Sequence, residues 1–290
     1  MTQDVIAIIC DCDGTLCPDT TNLLVAELGL DPKTFWQEVN SLVEGGWDPP
    51  LAYLGRLLTL SRSGVIKPLT KNAISSIAQG VQFYPGALEF VSKLRERLYN
   101  HPDMVGSGTV IDWYIVSSGI EELLMATPLG SMATDVFGST FHYGPDGQAA
   151  GVKSSVTFTE KTKFIYAINK GIPGLELRKR PYRVNDAVVD SERRVPLEHM
   201  VYIGDGPSDI PCFSMIKRNN GHAIGVMPPE DMDLRKPFEL ARGRRLTVGP
   251  YTADYGENSD LFKILWRIVE SIATGIMEHR AQGIRPAPSH

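Results

Sequence analysis

A short apolar run near the start of this chain leads directly into acidic residues and limits the folds that the chain can adopt. The run Val5-Ile6-Ala7-Ile8-Ile9-Cys10 is rich in β-branched residues and has no polar residue in alternation. A continuous apolar run of this length predicts a strand that is buried on both faces, as in the centre of a parallel sheet. Parallel strands need crossover connections, usually helices, so the run indicates an α/β fold.

Three later runs have the same character, and helical patterns separate them. Helical spacing of apolar residues covers 87–98 and 163–169, and the last pattern, with Leu261 and Ile276 near its ends, begins after Ser259 as a predicted N-cap. We therefore predict an α/β fold with a Rossmann-like parallel sheet core, covered by helices on both sides. The predicted strands after the first are Trp113–Val116, Met200–Ile203 and Ala223–Met227.

The segment between the first two predicted strands is longer than one crossover helix requires. It contains helical patterns and no strong strand pattern, so we predict a small inserted helical cap domain at residues 17–83. Residues 1–16 and 84–285 then form the core, and 286–290 a tail. The predicted cap helices are 22–28, 33–43, 51–60 and 70–78.

Composition excludes several classes of protein. The chain has 290 residues, 42% of them hydrophobic, which is enough apolar material to exclude disorder as the main state. A net charge of −5 is unlike that of a basic nucleic-acid binder. We find no apolar run near the ~18 residues of a membrane span, and the N-terminal residues lack the positive charge of a secretory signal. We expect no nucleic-acid or membrane partner, and a cytoplasmic location.

The cysteines support the same location. The chain has four, too few for a disulfide scaffold of this length. A zinc site at the three N-terminal cysteines is the alternative, but no His lies nearby at the spacing of zinc ligands. We therefore expect free thiols.

The strongest chemical motif, Asp11-Cys12-Asp13-Gly14-Thr15, follows the first predicted strand directly. Two carboxylates so close together repel each other, and their burial costs free energy unless a cation or hydrogen bonds compensate. An Asp turn with a helix cap is the structural alternative. Because ligands bind at the carboxyl ends of parallel strands, we favour a functional site.

The other predicted strands also end in chemically active residues. Ser117-Ser118-Gly119 offers hydroxyls and backbone N–H groups suited to phosphate oxygens. Gly204-Asp205-Gly206-Pro207-Ser208-Asp209 adds two carboxylates. Lys161, at a predicted helix start, can pair with a phosphate and a carboxylate, and Lys163 is the competing choice for that role.

In their order and spacing these motifs resemble those of the haloacid dehalogenase (HAD) superfamily, in its phosphatase branch. The match extends over residues 5–227, the helical insertion looks like the family's first-type cap, and residues 135–151 are similar to phosphoserine phosphatases. The resemblance implies a Mg²⁺-dependent phosphatase. Asp11 is then the nucleophile that forms an aspartyl-phosphate, and Asp13 the acid that protonates the leaving alkoxide and later activates water.

The resemblance also implies the remaining roles. The side chains of Asp11 and Asp205 and the backbone carbonyl of Asp13 bind Mg²⁺, which prefers oxygen ligands. Thr15 and Asp209 support the site, Asp209 through Lys161 or through the water shell of the metal. The phosphate oxygens are bound by Ser117, Ser118, Gly119 and Lys161.

Substrate specificity is expected in the cap. Thr20 stands where phosphoserine phosphatases carry a Glu that meets the substrate's amino group, which argues against phosphoserine. Arg56 aligns with a family arginine that binds the substrate carboxylate; a solvated helix surface is the alternative. Trp47 is a candidate for covering the substrate or for packing the cap onto the core. The basic insertion at residues 174–196 is expected to be a solvated excursion.

The sequence thus predicts hydrolysis of a small phosphorylated metabolite, and it does not specify the oligomeric state. Two alternatives stay open. A phosphotransferase or phosphomutase uses the same aspartate pair, and a non-catalytic protein would bind phosphate without turnover. Asp13 favours hydrolysis of a phosphoester, because superfamily members that cleave carbon–halogen bonds lack an aspartate at this position.

Overall fold

Seven strands form one sheet in the part of the chain that this computed structural model describes, residues 3–229, 239, 243 and 245–284. The strands are β1 (Val5–Cys10), β2 (Val110–Ile120), β3 (Asp135–Tyr143), β4 (Ala149–Ser154), β5 (Met200–Gly204), β6 (His222–Met227) and β7 (Val248–Thr252). The helices are α1 (Thr20–Glu27), α2 (Pro32–Glu44), α3 (Pro49–Arg62), α4 (Lys71–Ile77), α5 (Phe90–Tyr99), α6 (Glu121–Ala126), α7 (Leu129–Met132), α8 (Glu160–Lys170), α9 (Gly174–Lys179), α10 (Ile210–Arg218) and the C-terminal helix Asp260–Ile284.

The predicted α/β fold is confirmed, with β1 at the centre of the sheet. The strand order is β4-β3-β2-β1-β5-β6-β7, and every neighbouring pair is parallel except β3 and β4. Cys10 pairs with Ile115 of β2 and with Ile203 of β5. The residues that follow these three positions therefore lie at one edge of the sheet, where parallel α/β sheets bind ligands.

The continuous apolar character of β1 reflects burial on both faces of the sheet. Because side chains alternate along a strand, Ile6 and Ile8 pack in one apolar cluster with the C-terminal helix, whereas Ala7 and Ile9 pack in a second cluster with α8 and α10. The predicted amphipathic C-terminal helix is confirmed, and the Ser259 hydroxyl caps its start by accepting a hydrogen bond from Phe262 N at 3.0 Å.

The helices between β1 and β2 begin where the sequence supplies N-caps. Asp19, Asp31, Asp48 and Thr70 each accept a hydrogen bond from a backbone N–H in the first turn of the helix that follows. Proline stands at the start of α2 and α3, where its missing N–H costs no hydrogen bond. These caps and prolines explain where the four helices of this segment begin.

This helical segment rests on the carboxyl edge of the sheet and on the β3–β4 hairpin. Ala149 N donates to Leu69 O at 2.7 Å, and Arg62 donates to the Ala150 carbonyl. On the other side, the Tyr53 hydroxyl donates to Ser118 O at 2.7 Å. The segment is therefore held directly above the strand ends that carry the motifs.

The structure corrects two predicted boundaries. β2 continues to Ile120 instead of ending before Ser117, because it pairs again with β3 at Ser139 after an irregularity in register. The helix predicted from Ala87 begins at Phe90, after turns at residues 84–89. The predicted tail, 286–290, lies outside the described residues.

The helices in the described part of the chain were compared with the requirements of a membrane span. None of these helices combines the length and the apolar character that a membrane span requires.

Candidate active site

The ends of β1, β2 and β5 bring the predicted motif residues together. Asp11 follows β1, Ser117 lies two residues after the Ile115 pairing position of β2, and Asp205 follows β5. Lys161 enters from the first turn of α8. Residues separated by almost 200 positions in the sequence thus meet around one carboxylate.

Asp11 is buried and held at both oxygens. Its Oδ1 accepts a hydrogen bond from Cys12 N at 2.8 Å, and its Oδ2 lies 2.8 Å from Lys161 Nζ. Lys161 is fully buried and also contacts Asp209 Oδ1 at 2.7 Å. The Tyr202 hydroxyl donates to the same Asp209 oxygen at 2.7 Å. Lys161 therefore bridges Asp11 and Asp209, whereas Lys163 pairs with Glu160 at the surface.

Asp13 points toward the first turn of α1 and the end of β2. Its Oδ1 accepts a hydrogen bond from Thr20 N at 2.8 Å. A Cβ built on Gly119 would lie 3.0 Å from Asp13 Oδ2, so a side chain at this position would crowd the carboxylate. Thr20 is buried, and its backbone positions Asp13.

Gly14 allows the loop after β1 to approach the loop after β5. Its φ of +73° lies in the left-handed region, which glycine adopts without strain. A Cβ at Gly14 would lie 2.4 Å from Asp205 Oδ2. The glycine of the first motif is therefore required both by backbone conformation and by the position of Asp205. Thr15 is fully buried, and its carbonyl accepts a hydrogen bond from the Tyr255 hydroxyl at 2.8 Å.

Two serines of β2 line the cavity beside this group of carboxylates. Ser117 Oγ accepts a hydrogen bond from Gly119 N at 2.9 Å, which leaves the hydroxyl proton free to be donated. Ser118 Oγ is buried without a hydrogen-bond partner and lines the same cavity. The Ser117 hydroxyl can therefore donate to an anionic oxygen placed beside Asp11.

Burial makes the carboxylates of this site unusually basic. It raises the pKa of Asp11 to about 6, with a further increase from the charge of Asp209 and an opposing effect of Lys161. Burial, and then the charge of Asp19, raise the pKa of Asp13 to about 7. Burial, then Asp209 and Asp11, raise the pKa of Asp205 well above its usual value. Burial acts to lower the pKa of Lys161, but the charges of Asp11 and Asp209 outweigh it and raise this pKa overall.

The donor set fits a divalent cation that prefers oxygen ligands. One ligand atom from each of Asp11, Asp205 and Asp209 lies within 4.8 Å of the others. Lys161 balances one of these three negative charges. A bound cation such as Mg²⁺ would compensate the remaining charge, and Mg²⁺ needs few protein ligands because it keeps several waters.

We predict that Mg²⁺ stabilises the protein more at pH 7.5 than at pH 5. The folded state raises the pKa values of Asp11, Asp13 and Asp205. Between about pH 4 and pH 7 the folded protein therefore keeps protons on these carboxyl groups that the unfolded chain has already lost. The metal-free protein should therefore lose stability as pH rises through this window. Mg²⁺ competes with those protons, so the increase in Tm that it causes should grow with pH.

Thermal unfolding with and without Mg²⁺ at several pH values measures this effect. Ca²⁺ is a control for the general effect of a divalent ion, since its larger coordination shell suits the site less. An increase in Tm of equal size at pH 5 and pH 7.5 would contradict binding at these carboxylates.

The cysteines next to the site form no disulfide, and the ligand atoms of Cys12, Asp13 and Cys17 lie within 4.8 Å of one another. Cys12 Sγ and Cys17 Sγ lie 3.6 Å apart, and all four cysteines are free and buried. The contact with Cys17 and burial raise the pKa of the Cys12 thiol well above its usual value.

A cavity of about 250 Å³ opens above Asp11, between the strand ends and the helical segment. Of the predicted specificity residues, Trp47 and Arg56 lie outside its lining: Trp47 is 51% exposed, and Arg56 pairs with Glu38 at 2.8 Å on the surface. Thr20 contacts Asp13 rather than the cavity wall. Instead, the wall is formed by residues that sequence analysis did not select, among them Trp36, Tyr53 and Phe158.

The chain has the fold of the HAD-family hydrolases. It superposes on a HAD family hydrolase of Salmonella enterica serovar Typhi with a TM-score of 0.56 and 16% identity, over 91% of this chain and 71% of that one. It also superposes on a phosphoserine phosphatase with an analogue of the phospho-aspartyl intermediate, with a TM-score of 0.52 and 16% identity, over 90% and 98% of the two chains.

Sequence comparison adds a relative of similar length. An uncharacterized protein of Borreliella burgdorferi is 25% identical to this chain over an alignment of 303 positions, which includes 94% of this chain and 99% of that protein. No protein-family model matches the chain.

Proposed function

We propose that the protein is a Mg²⁺-dependent phosphatase that hydrolyses a small phosphomonoester through an aspartyl-phosphate at Asp11. The observation that carries this proposal is the arrangement of Asp11 and Asp13 below one cavity, with Lys161 and Asp205 beside them. The likeness in fold to a phosphoserine phosphatase with a phospho-aspartyl analogue supports the same chemistry.

The first step is attack of an Asp11 carboxylate oxygen on phosphorus. Lys161 orients this carboxylate through its contact with Oδ2. Asp209 holds Lys161 in place, and the Tyr202 hydroxyl in turn holds Asp209. In this proposal the Ser117 hydroxyl binds a phosphate oxygen, which carries charge in the transition state, and Ser118 and Gly119 line the cavity beside it. Mg²⁺ bound at Asp11 and Asp205 would supply positive charge that offsets the repulsion between carboxylate and phosphate.

Asp13 donates a proton in the first step and accepts one in the second. A pKa of about 7 leaves it partly protonated at neutral pH, which suits donation to the leaving alkoxide. Once ionised, the same carboxylate accepts a proton from the water that hydrolyses the intermediate. The hydrogen bond from Thr20 N fixes its orientation and links the chemistry to the helical segment.

We also propose that residues 17–83 act as a cap over a core of residues 1–16 and 84–285. The contact between Tyr53 and the Ser118 carbonyl ties this segment to the end of β2, so its opening would expose the site and its closure would exclude bulk water. The four free thiols support activity in a reducing compartment such as the cytoplasm.

Release of phosphate from p-nitrophenyl phosphate, with Mg²⁺ and with a chelator, tests the proposed reaction. We expect turnover with Mg²⁺ and its loss after chelation. Candidate alcohol acceptors are then added, because a phosphotransferase would form a phosphorylated acceptor faster than free phosphate. Binding of Mg²⁺ and orthovanadate without turnover of a broad panel of phosphomonoesters would show a binding protein instead.

A further inference from the structure

The cavity wall opposite Asp11 is largely hydrocarbon. It is formed by side chains of α2 and α3 and by a residue of the loop before α8, namely Trp36, Val39, Val43, Pro49, Tyr53 and Phe158. Apolar cavities of about 150 Å³ can hold a benzene ring. The volume of about 250 Å³ here therefore accommodates an organic group of roughly that size beside the phosphate position.

Trp36 and Tyr53 on this wall each donate their polar hydrogen to another group of the protein. Trp36 Nε1 donates to Asn22 Oδ1 at 2.5 Å, and the Tyr53 hydroxyl donates to the Ser118 carbonyl at 2.7 Å. The two rings lie 6.0 Å apart between centroids, with an interplanar angle of 54°. These bonds fix the rings, so that they offer carbon surface rather than hydrogen-bonding groups to a ligand.

The charges near the cavity do not suit a carboxylate. No Lys or Arg is present among the described residues that line it, whereas Asp11, Asp13, Asp19 and Asp205 are. Arg56 is held by Glu38 outside the lining. A substrate carboxylate that entered would lose its water without gaining a cationic partner, which is costly.

We propose that the substrate is a phosphomonoester with an apolar, uncharged alcohol portion, and that Trp36 and Tyr53 select it over esters that carry a carboxylate. This inference rests on the proposed phosphatase function and specifies its substrate class. Phosphoserine, which bears a carboxylate on its alcohol portion, is accordingly a poor substrate.

Benzyl phosphate and phosphoserine are suitable probes, because both have an aliphatic leaving oxygen and differ in the group that enters the cavity. We expect kcat/KM for benzyl phosphate to exceed that for phosphoserine by about 100-fold, the size of effect that a specific pocket produces. Trp36→Ala should raise KM for benzyl phosphate about 10-fold, with little change for methyl phosphate, which does not reach the wall. Trp47→Ala, outside the cavity, is the matched control and should change neither value.

A second variant tests the charge argument without removing a packed residue. Asn40 is exposed and lines the cavity, so Asn40→Arg can place a guanidinium at the wall while the fold is kept. It should raise kcat/KM for phosphoserine about 10-fold, because an Arg pairs well with a carboxylate. Equal or better turnover of phosphoserine by the unaltered protein would overturn the substrate inference and leave the phosphatase function standing. Failure to hydrolyse any of the esters would instead overturn the proposed function.

Discussion

Asp11→Asn is expected to lower kcat for p-nitrophenyl phosphate by on the order of 10⁴-fold or more, the scale of loss when a covalent nucleophile is removed. An amide is a poor nucleophile, and it cannot accept the phosphoryl group to give the acyl phosphate. The substitution keeps the size of a buried side chain whose Oδ1 accepts from Cys12 N and whose Oδ2 contacts Lys161. The fold should therefore persist.

Initial rates at saturating substrate measure this effect, and circular dichroism checks the fold. Asp103→Asn is the matched control, because Asp103 is exposed and belongs to none of the motifs. It should retain full activity. Turnover of Asp11→Asn within about 10-fold of the unaltered protein would show that another group is the nucleophile.

Lys161→Met is expected to destabilise the protein by about 3–5 kcal/mol, since removal of one partner from a buried ion pair leaves the other charges uncompensated. Lys161 is fully buried between Asp11 and Asp209, and Asp205 adds a third carboxylate nearby. The same substitution removes a cation from the proposed phosphate position, so the residual folded protein should lose most of its activity.

Urea unfolding gives the free energy for Lys161→Met, and Lys163→Met is the matched control. Lys163 pairs with Glu160 while both side chains are about one-third exposed or more, so its loss should cost about 0–1 kcal/mol. Similar destabilisation by the two substitutions would contradict the assignment of Lys161 as the buried lysine of the site.

Local patterns predicted the sheet and its chemically active edge. The apolar runs at β1, β5 and β6 are short and buried on both faces, so their hydrophobic character alone identifies them. The carboxyl ends of parallel strands lie at one edge of the sheet, which is why Asp11, Ser117 and Asp205 could be grouped from the sequence. The helices of the inserted segment could also be predicted from the sequence, because they show helical patterns and Asp, Thr and Pro mark their starts.

The cavity wall could not be predicted, because it depends on how helices pack. Trp36 and Tyr53 lie on different helices, and only the crossing of α2 and α3 brings their rings to the same wall. Arg56 aligned with a family arginine, and Trp47 stood in a loop bounded by Gly and Pro, yet Arg56 pairs with Glu38 outside the cavity and Trp47 is half exposed. Sequence spacing within a helix gives the direction of a side chain, but not what lies opposite it.

The most direct test of the account is to locate the phosphoryl group during turnover. The Asp13→Asn variant should slow hydrolysis of the intermediate, because it removes the base that activates water. Acid quench of this variant during reaction with p-nitrophenyl phosphate, followed by peptide mass spectrometry, should find a phosphoryl group on Asp11. Release of phosphate by the unaltered protein with no phosphoryl group on Asp11 in either protein would contradict the proposed mechanism.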